Sequence, residues 1–343
     1  MGSNPDGRER SELVDITIIG GGPTGLYGAF YAGMRGVSCR IIDALPDLGG
    51  QLTALYPEKD IFDVAGFPKI LAKDLARDLI AQATQFDPEV CLEERVVDLA
   101  RRDGILDLET DVAIRPTRTL VIAAGKGAFK PRTLSVPGWD RFYRNGIWSH
   151  VRDPEAFRDE RILIVGGGDS AFDWSLGLCG VARSVVHIHR SDRYRAHART
   201  VARVQEASAR GELELLPFHE VEEIHGEDRL RGVTIYHNKS MEKRSLEVQS
   251  LLALIGFVPN IGPISEWGLE LERNTIRVDS RMQTSVPGIY AAGDIVTYEG
   301  KLELISTGFG EAAIAVNNAV HYIDPSAKVD PGHSTSSRAF RGR

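Results

Sequence analysis

The chain has 343 residues, of which 42% are hydrophobic and 26% are charged, and its formal net charge is −7. This length predicts two domains, and the composition is that of a soluble globular protein. The net charge is negative, whereas proteins that bind nucleic acid usually carry an excess of basic residues. The longest apolar run, near residues 251–258, is far too short to cross a bilayer. Neither nucleic acid nor a membrane is therefore expected as a partner.

The amino-terminal segment is polar and has no apolar stretch of the kind found in signal peptides, so we expect residues 1 to about 13 to be disordered. Cys39, Cys91 and Cys179 are isolated in sequence and odd in number. This pattern argues against a disulfide framework and fits a reducing cytosol. We therefore expect a cytoplasmic protein, and no pattern in the sequence indicates a metal site.

The strongest local pattern lies in residues 15–43. A β-branched apolar run at residues 15–19 predicts a buried strand, and it ends in the glycine-rich turn GGGPTG at residues 20–25. Apolar residues at helical spacing follow. A second predicted strand, residues 37–42, ends at Asp43, 23 residues after the first glycine (43 − 20). The order of strand, G-x-G-x-x-G turn, helix, strand and acid predicts a dinucleotide site.

The chemistry of this first turn follows from its residue types. Gly20, Gly22 and Gly25 let the backbone approach a pyrophosphate, and the helix N-terminus offers free N–H groups and a positive dipole to its charge. Asp43 stands where a carboxylate accepts hydrogen bonds from a ribose diol. The alternative is a purely structural glycine-rich turn.

The segment after Asp43 adds two candidate ligand contacts. The adjacent glycines at residues 49–50 permit close approach of a ligand, and the amide of Gln51 can serve either a ligand or the turn itself. Tyr56 precedes a proline and is therefore expected to be extended. Its ring can stack on a flat ligand or pack on the core.

Further elements are predicted in order along the chain. They are a helix at 72–86 and strands at 90–100, 105–110, 119–125, 212–216, 221–225, 232–236 and 251–257.

A second fingerprint begins 146 residues after the first (166 − 20). A predicted strand at residues 161–165 runs into GGGDSA at residues 166–171, and a helix and a strand at residues 184–188 follow. Two fingerprints imply two dinucleotides. The residues assigned to the second nucleotide in this turn are Gly166, Gly168, Asp169 and Ser170.

The two sites differ at the residue that reads the ribose. His189 stands 23 residues after Gly166, where the first site has Asp43, and it is followed by Arg190, Arg193 and Arg195. A carboxylate would repel a 2′-phosphate, whereas His and Arg pair with it. The second site is therefore predicted to prefer NADP over NAD, against the alternative of a solvated basic loop.

A last strand ends in Gly293-Asp294, which places a carboxylate at the edge where open α/β sheets bind ligands. For Asp294 alone, an N-cap or turn role is the alternative. A final helix is predicted over residues 307–321, and its N-terminus can stabilise negative charge on a bound ring. On composition alone, residues 325–343 read as a disordered tail.

Together these motifs resemble the two-dinucleotide flavoprotein reductases of the thioredoxin-reductase type. The resemblance covers residues 15–337 and implies an α/β fold of two doubly wound, Rossmann-like three-layer domains, which bind FAD and NADP(H). A discontinuous FAD-binding domain would take residues 1–124 and 254–343. The NADP-binding domain would take residues 125–253.

One departure from that type is informative. Thioredoxin reductases carry a redox Cys-x-x-Cys just before the second fingerprint strand, whereas this chain has GIWSH at residues 146–150. Electron transfer to a disulfide through such an internal dithiol is therefore excluded.

The chain more closely resembles the ferredoxin (or flavodoxin)–NADP reductases of the thioredoxin-reductase-like type. The shared segments are LYPEKDIFDVAGFPKI at residues 55–70, GGGDSAFDW at residues 166–174 and GHSTS at residues 332–336. In that family the tail, here residues 325–343, covers the flavin and often reaches the other subunit of a homodimer. By motif position, His333 would cover one face of the isoalloxazine and Tyr56 the other, with Phe340 as the rival cover.

The resemblance implies a ferredoxin–NADP(+) reductase in which NADPH passes a hydride to flavin N5 and electrons then pass singly to ferredoxin or flavodoxin. No acid–base group is needed. An NADPH oxidase or diaphorase, a disulfide reductase acting through another protein's thiols, and a non-enzymatic NADP-sensing module are the alternatives. The FAD contacts implied by the resemblance are Thr24, Asp43, Gln51, Tyr56, Val96, Phe129, Asp294 and Thr335.

Overall fold

The computed structural model describes residues 9–127, 130–151, 153–258 and 260–333. The chain forms two compact units, which we call unit 1 (Met1–Ala128 and Pro259–Arg343) and unit 2 (Phe129–Val258). The chain leaves unit 1 after Ala128 and returns to it after Val258. These boundaries lie four and five residues after the ones expected from the sequence (128 − 124 and 258 − 253).

The helices are α1 (Pro23–Met34), α2 (Gln51–Ala54), α3 (Ala72–Ala83), α4 (Trp139–Phe142), α5 (Asp169–Gly177), α6 (Ala198–Ala209) and α7 (Ile305–Ile323). The strands are β1 (Glu9–Arg10), β2 (Val14–Ile19), β3 (Cys39–Ile42), β4 (Asp60–Ile61), β5 (Ile70–Leu71), β6 (Glu89–Cys91), β7 (Val96–Arg102), β8 (Ile105–Thr110), β9 (Ala113–Ile122), β10 (Lys130–Pro131), β11 (Ile147–Trp148), β12 (Arg161–Val165), β13 (Ser184–His189), β14 (Glu214–Pro217), β15 (His219–Gly226), β16 (Leu230–His237), β17 (Lys243–Glu247), β18 (Ser250–Ala253), β19 (Phe257–Val258), β20 (Leu271–Glu272), β21 (Thr275–Arg277), β22 (Ile289–Ala291) and β23 (Val296–Thr297).

Unit 1 is built on a sheet whose parallel part has the order β6-β3-β2-β9. Strand β22 also pairs in parallel with the end of β9, while β8 and β7 extend β9 as an antiparallel meander. Ile18 and Ile41 on the central strands share one core with Leu26 of α1, Leu75 of α3 and Val316 of α7. The carboxyl ends of β2, β3, β9 and β22 therefore meet at one edge of the sheet.

Unit 2 has three layers. Its parallel sheet has the order β11-β18-β12-β13-β14, and β15, β16 and β17 form a separate antiparallel sheet. Because side chains alternate along a strand, Ile162 and Ile164 of β12 pack with residues of α5 and α6, whereas Leu163 and Val165 pack with the antiparallel sheet. The predicted mixed α/β architecture is confirmed, and in unit 2 the antiparallel sheet supplies the third layer.

The expected disorder of residues 1 to about 13 is wrong for the part of this segment that the structure describes. Strand β1 pairs in parallel with β9, and Arg10 makes two hydrogen bonds of 2.7 and 2.8 Å to Asp107. The guanidinium of Arg40 is fully buried and donates to the carbonyl of Glu12 at 2.7 Å. A buried guanidinium needs acceptors, and the polar amino-terminal segment supplies one of them.

Several strands also differ from the expectation. The run at 90–100 is two strands, because the chain breaks at Glu93, which has a left-handed φ of 53°. The run at 251–257 stops at Ala253 before Gly256, whose φ is +88°. Strand β17 was not expected, since its residues are mostly charged and exposed. None of the helices in the described residues is long and apolar enough to span a bilayer.

Candidate functional site

The first glycine turn is held by close backbone packing. Gly20 has a φ of +108°, and a Cβ there would lie 2.4 Å from the carbonyl oxygen of Ala123. A Cβ on Gly25 would lie 1.8 Å from the carbonyl oxygen of Gly20. Only glycine fits at these two positions. Gly22, the N-cap of α1, differs because a Cβ on it would meet only the Cα of Gly50, at 3.9 Å, and no side chain caps the helix. The open N-terminus of α1 can therefore receive a ligand.

Asp43, at the end of β3, organises this turn. Its Oδ2 accepts a hydrogen bond from the amide of Gly21 at 2.6 Å, and its Oδ1 accepts one from the amide of Leu45 at 2.9 Å. Burial raises the pKa of Asp43, and these backbone hydrogen bonds oppose that rise. The amide of Glu94 donates to the carbonyl of Asp43 at 3.0 Å, which brings the buried Val96 close to the same edge of the sheet.

The second glycine pair packs directly on the first turn. The amide of Gly49 donates to the carbonyl of Gly21 at 2.8 Å. Gly50 has a φ of +58°, and a Cβ on it would lie 2.8 Å from the Cα of Gly22. Gln51 begins α2. A Cβ on Gly125 would lie 3.5 Å from the side-chain nitrogen Nε2 of Gln51. The predicted contacts on three separate segments therefore converge.

Tyr56 and Asp294 belong to the same region of unit 1. Burial raises the pKa of Tyr56 to about 12, and the charges of Asp294 and Asp63 add to the effect. Burial also raises the pKa of Asp294, followed by the charge of Glu303. The carboxylate of Asp294 makes no hydrogen bond to any described residue, so it is available to a ligand hydroxyl.

Thr24 joins the start of α1 to the start of α7. A Cβ on Gly293 would lie 2.9 Å from the Oγ1 of Thr24, and one on Gly308 would lie 2.4 Å from the same atom. The N-cap of α7, Leu304, provides no side-chain cap. Two uncapped helix N-termini and an unpartnered carboxylate in one unit fit an anionic, hydroxyl-bearing nucleotide such as FAD.

Of the tail residues predicted to contact the flavin, only His333 lies within the described part of the chain. His333 is exposed, and it has no hydrogen bond, ion pair or ring contact with Tyr56. The contacts predicted for Phe129, Thr335 and Phe340 lie outside the described residues.

The second glycine turn has the same construction as the first. A Cβ on Gly166 would lie 2.5 Å from the carbonyl oxygen of Leu254, whereas nothing lies within 4 Å of a Cβ on Gly168, the N-cap of α5. The ring of His189 covers the middle glycine, Gly167, whose Cβ would fall 2.3 Å from it. The carbonyl of that glycine accepts from the amide of Arg195 at 2.7 Å, which folds the basic segment back over the turn.

The predicted specificity residues lie where they can meet a ligand. Arg190, Arg193 and Arg195 are exposed, and none of them forms an ion pair with a carboxylate of the described residues. Burial first, and then the neighbouring arginine charges, lowers the pKa of His189. Ser170 is exposed in the first turn of α5. Unpaired guanidinium groups beside an open helix N-terminus suit a phosphate.

Asp169 makes a structural hydrogen bond that the sequence did not predict. Its Oδ1 accepts a hydrogen bond of 2.8 Å from the amide of His197, the N-cap of α6. The side chain therefore ties α6 to the start of α5 and holds the turn in shape. Contact with a nucleotide remains a prediction for this residue.

Comparison with known proteins identifies the family of this chain. The sequence pattern of the pyridine nucleotide-disulphide oxidoreductases matches residues 14–317. The chain belongs to the pyridine nucleotide-disulphide oxidoreductase family. It is 48% identical over 330 residues to a ferredoxin–NADP reductase of Thermus thermophilus, covering 96% of this chain and 98% of that protein. It is also 48% identical over 331 residues to ferredoxin–NADP reductase 2 of Shouchella clausii, covering 96% and 99%.

Solved structures agree on the fold. The thioredoxin reductase of T. acidophilum superposes with a TM-score of 0.77 at 25% identity, covering 92% of this chain and 99% of that one. The bacillithiol disulfide reductase of Staphylococcus aureus gives 0.76 at 17% identity, covering 90% and 99%. Because the sequence identity to the bacillithiol disulfide reductase is only 17%, this similarity shows the fold alone.

This pyridine nucleotide-disulphide oxidoreductase has no reactive thiol pair of its own. Cys39 and Cys91 are buried, Cys179 is half-buried, and all three are free. Burial raises the pKa of Cys39 to about 12 and that of Cys91 to about 11, and it also raises the pKa of Cys179. A thiol must ionise to attack a disulfide. Among the described residues, no cluster of three or more His, Cys, Asp or Glu side chains is placed to hold a metal.

Sequence reasoning missed two residues behind the second turn. Asn238 follows β16, and its side-chain amide donates at 2.8 Å both to the carbonyl of Arg190 and to a carboxylate oxygen of Glu220. His187 is fully buried in β13, where its Nε2 lies 2.9 Å from the carbonyl oxygen of Gly166. Neither contact has a sequence signal, because both depend on pairing between segments distant in the chain.

His187 makes the stability of this oxidoreductase depend on pH. Its Nε2 donates to a carbonyl, its Nδ1 lies 2.9 Å from the Oγ of Ser175, and burial lowers its pKa to about 4. Between about pH 6.5 and 4 the unfolded chain therefore binds more protons than the folded chain does. As a result, the free energy of unfolding decreases as pH falls through that window. Between these pH values we expect the free energy of unfolding of the wild type to fall by about 3 kcal/mol more than that of His187→Gln, as measured by urea unfolding. Parallel pH dependence in the two proteins would contradict this prediction.

Proposed function

We propose that this protein is an FAD-dependent ferredoxin–NADP reductase that moves electrons between NADPH and a one-electron carrier, ferredoxin or flavodoxin. Unit 1 is the FAD-binding domain and unit 2 the NADP-binding domain. The observation that carries the proposal is a pair of nucleotide turns in a chain whose thiols are all buried or half-buried, with raised pKa values. Relatives at 48% identity that bear this name support it.

The residues of the chain bind and orient, and the cofactor supplies the redox chemistry. Bound FAD would supply hydride exchange with NADP(H) and single-electron exchange with the carrier. In unit 1, Asp43 would accept hydrogen bonds from the adenosine ribose, the N-terminus of α1 would receive the pyrophosphate, and Gln51, Tyr56 and Asp294 would contact the flavin half. No residue transfers a proton as acid or base.

In unit 2, the N-terminus of α5 receives the pyrophosphate of NADPH, with Gly166, Gly168 and Ser170 at the turn. His189, Arg190 and Arg195 hold the 2′-phosphate. Since these side chains contact only the adenosine end, they set affinity and cofactor choice.

An anaerobic titration tests the proposal. Purified protein is titrated with NADPH in the visible range, and cytochrome c reduction is then measured with and without ferredoxin or flavodoxin. A yellow protein that bleaches and reduces cytochrome c only through the carrier supports the reductase. Bleaching without any gain from either carrier indicates an oxidase or diaphorase, and NADPH-dependent reduction of dithionitrobenzoate indicates a disulfide reductase. A protein that cannot be loaded with FAD would overturn the assignment of unit 1.

The proposal includes a cytoplasmic homodimer in which the tail of one subunit serves the flavin site of the other. Arg35, at the C-terminal end of α1, donates to the carbonyl of Lys328 at 2.8 Å and to that of Val329 at 3.2 Å. These bonds hold the tail beside the end of α1 that is opposite the first glycine turn. This position supports a tail that leaves its own subunit rather than returning over its own flavin site.

Covering of the flavin by the tail predicts a change in flavin environment. We expect His333→Ala and Phe340→Ala, singly and together, to alter flavin fluorescence and the stopped-flow rate of reduction by NADPH, since an aromatic ring over the isoalloxazine must move to admit nicotinamide. The residue whose loss has the larger effect is the cover. Unchanged fluorescence and rate in all three variants would contradict this role of the tail.

A further inference from the structure

Glu311 is a buried carboxylate in the second turn of α7, and its hydrogen-bond donors come from the segment around Asp294. It accepts from the amide of Gly293 at 2.7 Å, from the hydroxyl of Tyr298 at 2.6 Å and from the ammonium of Lys301 at 2.6 Å. The side chains of Glu311 and Lys301 are only 3% and 8% exposed. This is a closed polar cluster inside unit 1.

The contact to Gly293 bears directly on the flavin site. Gly293 has a φ of +85° and packs against Thr24, so its conformation is demanding. The residue immediately precedes Asp294 in the chain. Fixing the amide of Gly293 therefore fixes where the Asp294 carboxylate is presented, although Glu311 itself reaches that site only through the backbone.

The buried donors of this cluster depend on the charge of Glu311. A buried cation left without its partner is strongly unfavourable, and so is a buried N–H without an acceptor. Loss of the charge on Glu311 strands Lys301, which must then move towards water and take the 298–301 segment with it. The exposed pair between Glu303 and Lys126 lacks this property, because exposed pairs contribute little.

We infer that Glu311 is a positioning residue for flavin binding, with Lys301 as its counter-ion, and that it acts by holding the Gly293–Asp294 segment in its ligand-ready conformation. This inference rests on the proposed assignment of unit 1 to FAD. It does not depend on which carrier takes the electrons.

The test measures FAD affinity by fluorescence titration of apoprotein, together with the visible spectrum and midpoint potential of the loaded protein. We expect Glu311→Gln to raise the Kd for FAD by about tenfold or more, which is the loss of one hydrogen bond to a charged group. Its Kd for NADP⁺ should stay within about twofold of wild type, since unit 2 is untouched. Asp294→Asn gives the effect of losing the positioned carboxylate itself.

Two further variants separate positioning from charge and from folding. Glu299 is exposed in the same segment, so Glu299→Gln removes one carboxylate charge there without touching Gly293, and its Kd for FAD should match wild type. Glu311→Gln with Lys301→Met should bind FAD more tightly than Glu311→Gln alone, because the stranded ammonium is gone and the amide oxygen can still accept from Gly293. Wild-type affinity in Glu311→Gln, equal losses in Glu299→Gln, no recovery in the double variant, or loss of NADP⁺ binding alongside FAD would each overturn the inference. A wild-type protein that binds FAD but gains nothing from ferredoxin or flavodoxin would remove the carrier assignment and leave this inference standing.

Discussion

Replacing Arg190 and Arg195 together by alanine is expected to raise the KM for NADPH by about 100-fold while leaving the KM for NADH little changed. Both side chains are exposed and have no carboxylate partner among the described residues, so each is free to meet a 2′-phosphate. One hydrogen bond to a charged group is worth about 1.5–3 kcal/mol, and two give about 3 kcal/mol at the low end. Steady-state kinetics with both nucleotides measure the effect.

Arg183 provides the matched control. It is also exposed and lies immediately before β13, whereas Arg190 lies immediately after that strand. Arg183→Ala removes one guanidinium charge at the opposite end of β13 and should leave both KM values unchanged. Equal losses with NADPH and NADH in the Arg190/Arg195 variant would refute the specificity assignment.

Replacing Gly25 by alanine is expected to abolish FAD retention. The new Cβ would lie 1.8 Å from the carbonyl oxygen of Gly20, which is backbone and cannot rotate away. Either α1 must shift from β2 or the glycine turn must open, and both changes remove the geometry that receives a pyrophosphate. We expect the free energy of unfolding to fall by about 3 kcal/mol or more, measured by urea unfolding of apoprotein, and the purified protein to be colourless.

Gly36→Ala separates this clash from the general loss of a glycine. Gly36 has a φ of +70° but no heavy atom within 4 Å of the Cβ position, and it lies beyond the other end of α1. Its substitution should cost about 1 kcal/mol of backbone strain and leave FAD bound. A yellow Gly25→Ala protein with near-wild-type FAD affinity would contradict the proposed role of the first turn.

The sequence predicted the two glycine turns well because their signal is local. Strand, turn, helix and acid follow one another within residues 15–43, and each residue type has one dominant use there. Strand β12 has a continuous apolar run at residues 162–165, and β2 is rich in β-branched residues, which is typical of buried parallel strands. Element type could therefore be assigned without knowledge of distant partners.

What the sequence could not predict depends on distant partners. Strand β1 looks like a polar terminus, and it becomes a strand only because β9 and Asp107 lie beside it. Glu311 looks like one more charged residue on a helix, although it is buried among three donors. The motif assigns Asp169 to a ligand, and nothing local indicates that its carboxylate also accepts from the amide of His197, 28 residues away. Side-chain partners of this kind are set by the tertiary fold.

The three sequestered thiols have a practical consequence for experiments on domain movement. Burial raises the pKa of every native cysteine, so maleimide reagents at neutral pH meet very little thiolate on the folded chain. A cysteine introduced at an exposed position such as Arg183 in unit 2, and another at Arg118 in unit 1, would then be the main attachment points for a pair of dyes. Distances between such dyes, followed with and without NADPH, would report on the two units directly, without first having to remove Cys39, Cys91 or Cys179.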